Sequence, residues 1–228
     1  MIDNNLVLDF LSEFVSEERR NRIEEVLAER TRYISILLED IYQSQNASAV
    51  LRTCECFGIQ NVHVVENYNI YNINPMVLKG SDKWLSIRKF NGSANNSIDA
   101  VNELKSEGYR IVATSLQEES AGLYEFDLLK GKCVIVFGNE HQGVSKSILQ
   151  HADEHLKIPM TGFTQSLNIS VSAGIVLSHL IYRLKQTDIR WQLTSSEKEE
   201  LRLKWFKNSV KNPEMLIKRL TEENIHPK

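Results

Sequence analysis

Short apolar runs alternate along the chain with segments in which apolar positions recur every three or four residues. The apolar runs predict short strands at 33–38, 61–65, 86–90, 110–114, 132–137 and 156–158. The helical spacing, twice followed by a glycine, predicts helices at 17–30, 47–57, 98–107, 144–152, 167–184, 196–207 and 213–221. Because strands and helices alternate from 33 to 184, we expect an α/β fold with a mostly parallel sheet and helices on both faces.

The same pattern divides the chain into three segments. We expect a helical extension at 1–32, an α/β domain at 33–184 and a second helical extension at 185–228. The whole chain has a net charge of −3, yet residues 183–228 hold 11 basic and 7 acidic side chains, which gives +4. A basic helical segment is either a solvated surface or one that binds a polyanion, and charge alone does not separate these interpretations.

Composition excludes several classes of protein. Apolar residues make up 42% of the 228 positions and charged residues of both signs 25%, as in a globular chain with a core. No apolar run reaches the roughly 18 residues of a membrane span, and no basic stretch typical of a signal peptide is found near Met1. Cys54, Cys56 and Cys133 suit neither a disulfide framework nor a four-ligand zinc site. We therefore expect a cytoplasmic protein.

One short motif resembles a metal site, but its surroundings argue against that function. His151, Glu154 and His155 match the H-x-x-E-H pattern of some zinc peptidases. That pattern needs both histidines on one helix, whereas a short strand and Pro159 follow at once. We interpret the segment as a polar connection between a helix and a strand. The chain also has no glycine-rich dinucleotide or phosphate loop and no G-x-S-x-G turn.

Three segments combine glycine, small and polar residues where the predicted fold has loops at strand ends. They are NASAVLRTCECFG (46–58), VFGNEHQGVS (136–145) and IPMTGFTQSLNISVSAGI (158–175). Open α/β sheets bind their ligands at the carboxyl ends of the strands. In this order the segments resemble the three motifs of the SpoU-type RNA 2′-O-ribose methyltransferases of the SPOUT superfamily. The resemblance spans residues 33–184, and the stretch 30–66 is similar to the TrmH branch, the tRNA guanosine-2′-O-methyltransferases.

The resemblance implies features that the hydrophobic pattern does not predict. Members of the family tie the last third of the sheet into a deep trefoil knot, which is very rare among proteins in general. They are homodimers with the active site at the subunit interface, and they use S-adenosylmethionine as methyl donor without a metal ion. The loops Thr114–Leu116, Phe137–Glu140 and Ile158–Leu167 are expected to hold this cofactor. The cofactor-binding residues transferred by motif are Thr114, Leu116, Gly138, Ile158, Met160 and Leu167.

The resemblance also implies five catalytic positions, which are Arg52, Asn46, Glu140, Ser166 and Asn168. Arg52 is expected to stabilise negative charge on the attacking ribose oxygen, or to take its proton with help from a substrate phosphate, although a guanidinium is a poor base. The alternative is an ion pair with Glu55 on an exposed helix face. Asn46 is expected to cap its helix and to orient Arg52 or contact the ribose, and Glu140 is expected to position its neighbours. Ser166 and Asn168 are expected to cap the long helix that follows them while reaching the substrate or Arg52 of the other subunit.

The expected partner is tRNA, with the D-loop guanosine at position 18 as the target. Ribosomal RNA, another tRNA position and a non-catalytic RNA-binding role are the alternatives. Basic residues outside the knot are expected to hold the RNA: Arg19, Arg20, Arg30, Arg32, Lys79, Lys83, Arg88, Lys198, Arg202, Lys204, Lys207 and Lys211. Trp84, Trp191 and Trp205 are candidates for stacking on bases, with core packing as the alternative.

Overall fold

The computed structural model describes residues 3–116 and 120–225, with side chains as far as residue 222. It divides the chain into two compact units. The central unit is Thr31–Trp191, and the terminal unit combines the residues up to Arg30 with those from Gln192 onwards. The two helical extensions, which the sequence presents as separate segments, therefore form one unit.

The elements follow one another along the chain much as the hydrophobic pattern predicts. The strands are β1 (Ile34–Glu39), β2 (Asn61–Val65), β3 (Ser86–Phe90), β4 (Arg110–Thr114), β5 (Ala121–Gly122), β6 (Cys133–Phe137) and β7 (Glu154–Lys157). The helices are α1 (Asn4–Ser12), α2 (Glu17–Ala28), α3 (Ser44–Cys56), α4 (Pro75–Leu78), α5 (Asn96–Ser106), α6 (Lys146–His151), α7 (Ile169–Leu184), α8 (Ser195–Ser209) and α9 (Pro213–Ile225), with a 3-10 helix at Ser81–Trp84. No helix in the described part of the chain is both long and apolar enough to cross a membrane.

The strands form one sheet in which every pair is parallel, and this confirms the predicted fold class. Their order is β3-β2-β1-β6-β4-β7-β5. The central strands β1 and β6 are buried along their whole length, and their register pairs Ile36 with Ile135 and Leu38 with Phe137. Continuous apolar strands of this kind are typical of a sheet that is covered on both faces.

Helices cover both faces of the sheet, as predicted. On one face, α3 and α7 pack against each other over a core that includes Ile36 and Leu38 of β1. On the other face, α5 and α6 pack over a second core that includes Leu37 and Val136. Successive residues of β1 therefore serve opposite cores, because side chains alternate across a strand.

The last part of the sheet is built out of sequence order. β6 lies between β1 and β4, and the chain then passes to the other side of β4 to form β7. α7 follows and packs against α3. The trefoil knot that the family resemblance implies for this region stays a prediction.

The terminal unit is built by helices from both ends of the chain. α1 and α2 contact α8, and α1 also contacts α9. Trp205 of α8 is buried, and the Arg30 guanidinium carbon lies 5.2 Å from the centre of its ring. Trp205 is therefore a core residue. Arg30, expected to contact RNA, is fully buried and is a packing residue instead.

The predicted set lacks α1, α4, the 3-10 helix and β5. Two of these elements, α1 and α4, are started by local capping rather than by hydrophobic spacing. α1 begins after Asp3, whose side chain accepts a hydrogen bond from the Asn5 amide at 3.1 Å. The segment 66–83, predicted as an irregular loop, contains α4 and the start of the 3-10 helix. α4 begins because Asn74 caps it and Pro75, with its fixed φ, occupies the first turn.

His63 of β2 is an acid-sensitive point in the central unit. It is 2% exposed, and burial together with the neighbouring Arg88 guanidinium lowers the pKa of its ring to about 4. Its Nδ1 atom accepts a hydrogen bond from Arg88 Nε at 3.4 Å, which favours the neutral ring.

We predict that the free energy of unfolding falls as the pH drops from about 6.5 to about 4, because the unfolded chain binds a proton that folded His63 does not. At pH 5 the loss from this group is about 2 kcal/mol. Urea unfolding at pH 7 and pH 5 measures it. His63→Leu is expected to remove this part of the pH dependence, whereas His151→Leu, which changes an exposed histidine, is expected to retain it. An equal acid loss in the wild type and His63→Leu would contradict the prediction.

Candidate active site

The parallel strands bring the three motif loops to one edge of the sheet. β6, β4 and β7 are neighbours, and the expected cofactor loops begin at or just after their carboxyl ends. α3, which carries Asn46 and Arg52, follows β1 from the same edge. Open α/β sheets bind their ligands at this edge, so the residues described below lie where a site is expected.

A chain of hydrogen bonds joins three of the five predicted catalytic residues. The side-chain amide of Asn168 donates to Asn46 Oδ1 at 3.0 Å, and Asn46 Nδ2 donates to Glu140 Oε1 at 2.9 Å. The Glu140 carboxylate also accepts from the backbone N–H groups of Tyr42 and Gln43, at 2.9 and 3.2 Å. This Asn168–Asn46–Glu140 link connects residues from all three motif segments.

Glu140 is held as an anion. Burial opposes its ionisation, but the hydrogen bonds from Asn46 and from backbone N–H groups outweigh burial and lower the pKa of the carboxyl group. Both carboxylate oxygens already accept hydrogen bonds from the protein. A carboxylate with a low pKa and occupied oxygens is a poor proton acceptor, so this geometry suits a positioning role.

The expectation that Asn46 caps its helix is wrong. α3 begins at Ser44, and its cap residue Gln43 has no side-chain capping bond. The distant Glu140 carboxylate accepts the Gln43 N–H instead, so a tertiary contact favours the earlier start and leaves Asn46 buried in the first turn.

Asn168 does cap the long helix, as expected. Its Oδ1 atom accepts from the Ser170 amide at 2.8 Å at the start of α7. Ser166 lies exposed two residues before this cap. The structure therefore assigns the capping role to Asn168 and not to Ser166.

Arg52 lies apart from the Asn168–Asn46–Glu140 link within one chain. Its side chain is exposed, and Nη1 donates a long hydrogen bond of 3.5 Å to the backbone oxygen of Val77 in α4. Six positions separate Arg52 from Asn46, which on an α-helix is an advance of about 9 Å and a rotation of roughly 240°. The buried Asn46 and the exposed Arg52 therefore lie on different faces of α3.

The expected cofactor loops present a partly exposed apolar surface. Leu116 is 63% and Leu167 39% exposed, while Ile158 and Met160 are half-buried. Partly exposed apolar side chains at the ends of neighbouring strands suit a flat, neutral ring such as adenine, and the residues present therefore fit S-adenosylmethionine. Thr114, at the end of β4, donates to the Val136 oxygen of β6 at 2.8 Å and ties two of the loop-bearing strands together.

Gly138 is required by packing of the protein against itself. A Cβ atom at this position would overlap the backbone of Gly143 and Val144. Asn139 and Gly143 exchange two backbone hydrogen bonds, of 3.0 and 2.8 Å, so residues 139–143 form a closed turn. The sequence predicts a close approach of Gly138 to a ligand, whereas the structure shows a close approach within its own loop.

Two acidic residues at the end of β1, absent from the predicted site, hold the loop after β6 at both of its ends. Glu39 is buried and accepts from the Ser145 N–H and hydroxyl groups, at 2.8 and 2.6 Å. The backbone oxygen of Asp40 accepts from Asn139 Nδ2 at 2.8 Å. Asp40 has φ of 50°, in the left-handed region that is uncommon for residues other than glycine. The sequence contains one signal for these two residues, which is an acidic pair directly after an apolar strand. Buried charges are rare without partners, so such a pair indicates side chains that bind other parts of the protein.

The predicted RNA-binding residues differ in their exposure. The exposed ones are Arg19, Lys79, Lys83, Lys204 and Lys211, and the half-buried ones are Arg20, Arg32, Lys198 and Lys207. Arg202 binds the Glu24 carboxylate through two nitrogen atoms, at 2.6 and 2.7 Å. Arg88 forms ion pairs with Glu103 of α5 and with Glu107, which follows α5 directly. Trp191 is buried, so it packs in the protein rather than offering a stacking face.

The H-x-x-E-H segment lies across two elements. His151 ends α6 and His155 lies in β7, so the two histidines do not share a helix, as predicted. Among residues 3–116 and 120–225, no group of three His, Cys, Asp or Glu side chains is arranged to hold a metal ion.

Comparison with known proteins identifies the class to which this fold and site belong. A sequence model of the SpoU rRNA methylase family matches residues 33–178, which include all three motif segments. The chain therefore belongs to the SpoU methylase family, and the resemblance stated from its motifs is confirmed.

Individual relatives place the chain near the TrmH branch of this family. It is 46% identical to the tRNA (guanosine(18)-2′-O)-methyltransferase of Borreliella burgdorferi, over 89% of this chain and 90% of the relative. It is 34% identical to the protein of the same name from Aquifex aeolicus, over 90% of this chain and 95% of the relative. The crystal structure of the A. aeolicus TrmH/SpoU tRNA modifying enzyme covers 86% of this chain and 98% of its own, with a TM-score of 0.76 and 33% identity.

We predict that Gly138→Ala lowers the free energy of unfolding by roughly 1–3 kcal/mol, because the new Cβ overlaps backbone that cannot rotate away. Gly92→Ala is the matched control, since a Cβ at Gly92 meets nothing within 4 Å. Urea denaturation of the two variants and the wild type measures the difference. If Gly138→Ala is as stable as Gly92→Ala, the closed turn does not constrain this position.

Proposed function

We propose that the protein transfers a methyl group from S-adenosylmethionine to the 2′-oxygen of a tRNA ribose, with guanosine 18 of the D-loop as the target. The observation that carries this proposal is the Asn168–Asn46–Glu140 link, which joins the three methylase motifs at the ligand edge of the sheet. The relatives at 46% and 34% identity, named for this tRNA position, support the choice of substrate. Their similarity extends over 89% and 90% of this chain, well beyond residues 33–178.

The reaction requires an oriented ribose hydroxyl and stabilisation of the charge that grows on its oxygen. S-adenosylmethionine, when bound, supplies a methyl group on a positively charged sulfur atom. Leu116, Met160 and Leu167 would line its adenine ring, and backbone groups of the same loops would meet the polar edge of that ring. Asn46, Glu140 and Asn168 hold these loops and the first turn of α3 in a fixed relation, so the acceptor and donor sides of the site keep their geometry.

Arg52 is the cation that we place beside the ribose oxygen. Its permanent charge stabilises the oxygen as the hydroxyl proton passes to solvent water, the new oxygen–carbon bond forms and the methyl–sulfur bond breaks, which would leave S-adenosylhomocysteine as the product. Within one chain, Arg52 does not reach the Asn168–Asn46–Glu140 link, because Arg52 and Asn46 lie on different faces of α3. We therefore propose a homodimer in which Arg52 of one chain serves the ligand edge of the other. Val171, Ile175 and Tyr182 are exposed on α7 and supply apolar surface for such an interface.

Ribosomal RNA is the second candidate substrate, because the matching family is described by its rRNA methylases. The chemistry at the ribose is the same for both RNAs. The two named relatives favour tRNA, and mapping of the product separates the candidates.

We predict that the purified protein, given S-adenosylmethionine and unmodified tRNA, adds one 2′-O-methyl group at guanosine 18. Nuclease digestion followed by mass spectrometry locates the modified nucleotide. A tRNA with a 2′-deoxy nucleotide at position 18 is the control, since it has no oxygen to accept the methyl group. Methylation of ribosomal RNA with tRNA unchanged would favour the second candidate, and cofactor binding without transfer to either RNA would support a non-catalytic role.

We predict that Arg52→Ala lowers kcat for methyl transfer by roughly 100-fold or more, the usual effect of removing one electrostatic stabiliser of a transition state. The dissociation constant of S-adenosylmethionine is expected to stay within about twofold of the wild-type value, because the cofactor loops are unchanged. Arg22→Ala, which removes an exposed arginine paired with Glu25, is the control. Near-normal turnover in Arg52→Ala would refute the assigned role.

The same variant tests the homodimer. Asn168→Ala is also expected to be inactive, because it removes the hydrogen bond to Asn46. Mixing Arg52→Ala chains with Asn168→Ala chains creates dimers in which one of the two sites has both residues intact. Recovery of part of the wild-type rate in the mixture supports action across the interface. A mixture as inactive as its components would contradict it.

A further inference from the structure

A small pocket lies beside the first turn of α3. One wall is formed by Ile41, Tyr42, Ser44 and Ala47, and the other by the segment 70–72. The pocket has a volume of about 150 Å³. Engineered protein cavities of about 150 Å³ enclose one planar six-membered ring, so a pocket of this size encloses one ring of a purine base and leaves the other outside.

This pocket adjoins the Asn168–Asn46–Glu140 link along the chain and through hydrogen bonds. Ala47, in the pocket wall, follows Asn46 directly. The backbone N–H of Tyr42, in the same wall, donates to the Glu140 carboxylate at 2.9 Å. A ligand in the pocket therefore lies next to the link that holds the acceptor and donor sides of the proposed site in place.

The surface of the pocket combines aromatic, apolar and polar groups. Tyr42 is 65% exposed, and its ring meets the His141 ring edge-on with 6.1 Å between their centres. Ile70, in the other wall, is 75% exposed, and Ser44 and Asn72 add a hydroxyl and an amide. Unstacked nucleobases are bound by an aromatic face for the ring and polar groups for its edge.

Hydrogen bonds within the protein hold the two walls of the pocket together. Asp40 precedes the first wall, and its Oδ1 atom accepts from the backbone N–H groups of Asn67, Tyr68 and Asn69, at 2.7, 2.9 and 3.3 Å. The segment that enters the second wall is thereby fixed to the end of β1. Preorganised walls of this kind reduce the entropy lost when a ligand binds.

We propose that this pocket holds the base of the nucleotide whose ribose is methylated, with Tyr42 stacked against it. The proposal rests on the RNA methylation proposed above. A base is attached to C1′, the neighbour of the carbon that carries the reacting oxygen, so a base pocket must adjoin the catalytic residues. Asp40 is then a positioning residue, because it acts on the base only through the walls that it holds.

The first test compares three substitutions of Tyr42, all of which keep the backbone N–H that binds Glu140. Tyr42→Ala and Tyr42→Leu remove the flat face and are expected to raise KM for the RNA roughly 5- to 100-fold, the usual range for one stacked base. Tyr42→Phe keeps the ring and is expected to stay within about twofold of the wild type. Tyr68→Ala is the matched control, because Tyr68 is exposed in the neighbouring loop but does not line the pocket.

The second test identifies the base. An abasic nucleotide that retains its 2′-hydroxyl replaces either the methylated nucleotide or its 3′ neighbour. With the abasic target, Tyr42→Ala is expected to cause no further loss, because both changes remove the same contact. The proposal is overturned if Tyr42→Ala causes no further loss with the abasic 3′ neighbour instead of the abasic target. It is also overturned if the losses from Tyr42→Ala and from the abasic nucleotide add in full at both positions.

The outcomes separate the two proposals. If wild-type protein methylates RNA and Tyr42→Ala has a wild-type KM, or if Tyr68→Ala loses as much as Tyr42→Ala, only the base pocket is refuted. If the wild-type protein transfers no methyl group to any RNA, the function on which the pocket depends is refuted with it. Unchanged S-adenosylmethionine binding in every variant is expected and shows that the cofactor loops are intact.

Discussion

Carboxylates that accept backbone hydrogen bonds hold the ligand edge of the sheet together. Glu39, at the end of β1, accepts from the Ser145 N–H of the loop after β6, and Glu140 of that loop accepts from the Gln43 N–H at the start of α3. The Asp40 carboxylate accepts from the backbone N–H groups of residues 67–69. Hydrogen bonds to charged groups contribute more than neutral ones, and a buried acceptor that loses its donors is costly. The positions of three loops thus depend on a few carboxylate oxygens that are held in place by the protein itself.

The two faces of α3 carry residues with different surroundings. Its buried face carries Asn46 and the apolar residues that pack beneath α7, while its exposed face carries Arg52. Asn46, which belongs to the hydrogen-bonded link, and Arg52, to which we assign the chemistry, therefore belong to different surfaces of the same element. In the homodimer proposed above, the exposed face of one copy would meet the ligand edge of the other.

The sequence predicts the parts of the molecule that follow from local pattern. The strands at 61–65, 86–90 and 110–114 have the bounds that their apolar residues predict, and the motif segments lead to the correct family. Tertiary contacts explain what the pattern misses. The sequence predicts Asn46 as a helix cap, but α3 begins at Ser44 because the Glu140 carboxylate accepts the hydrogen bond from the Gln43 N–H. The burial of Arg30 depends on Trp205, far away in the chain, and the positive φ of Asp40 depends on the loops that it binds.

The terminal unit has a consequence for the order of events during synthesis. Leu11 and Leu27 are buried in a unit whose other half begins at Gln192. A ribosome adds roughly 5–20 residues per second, so the first helices wait roughly 10–30 s while the central unit is translated. Until then their apolar faces have no native partner from the C-terminal end of the chain. α1 and α2 therefore leave the ribosome before the central unit but reach their final fold after it.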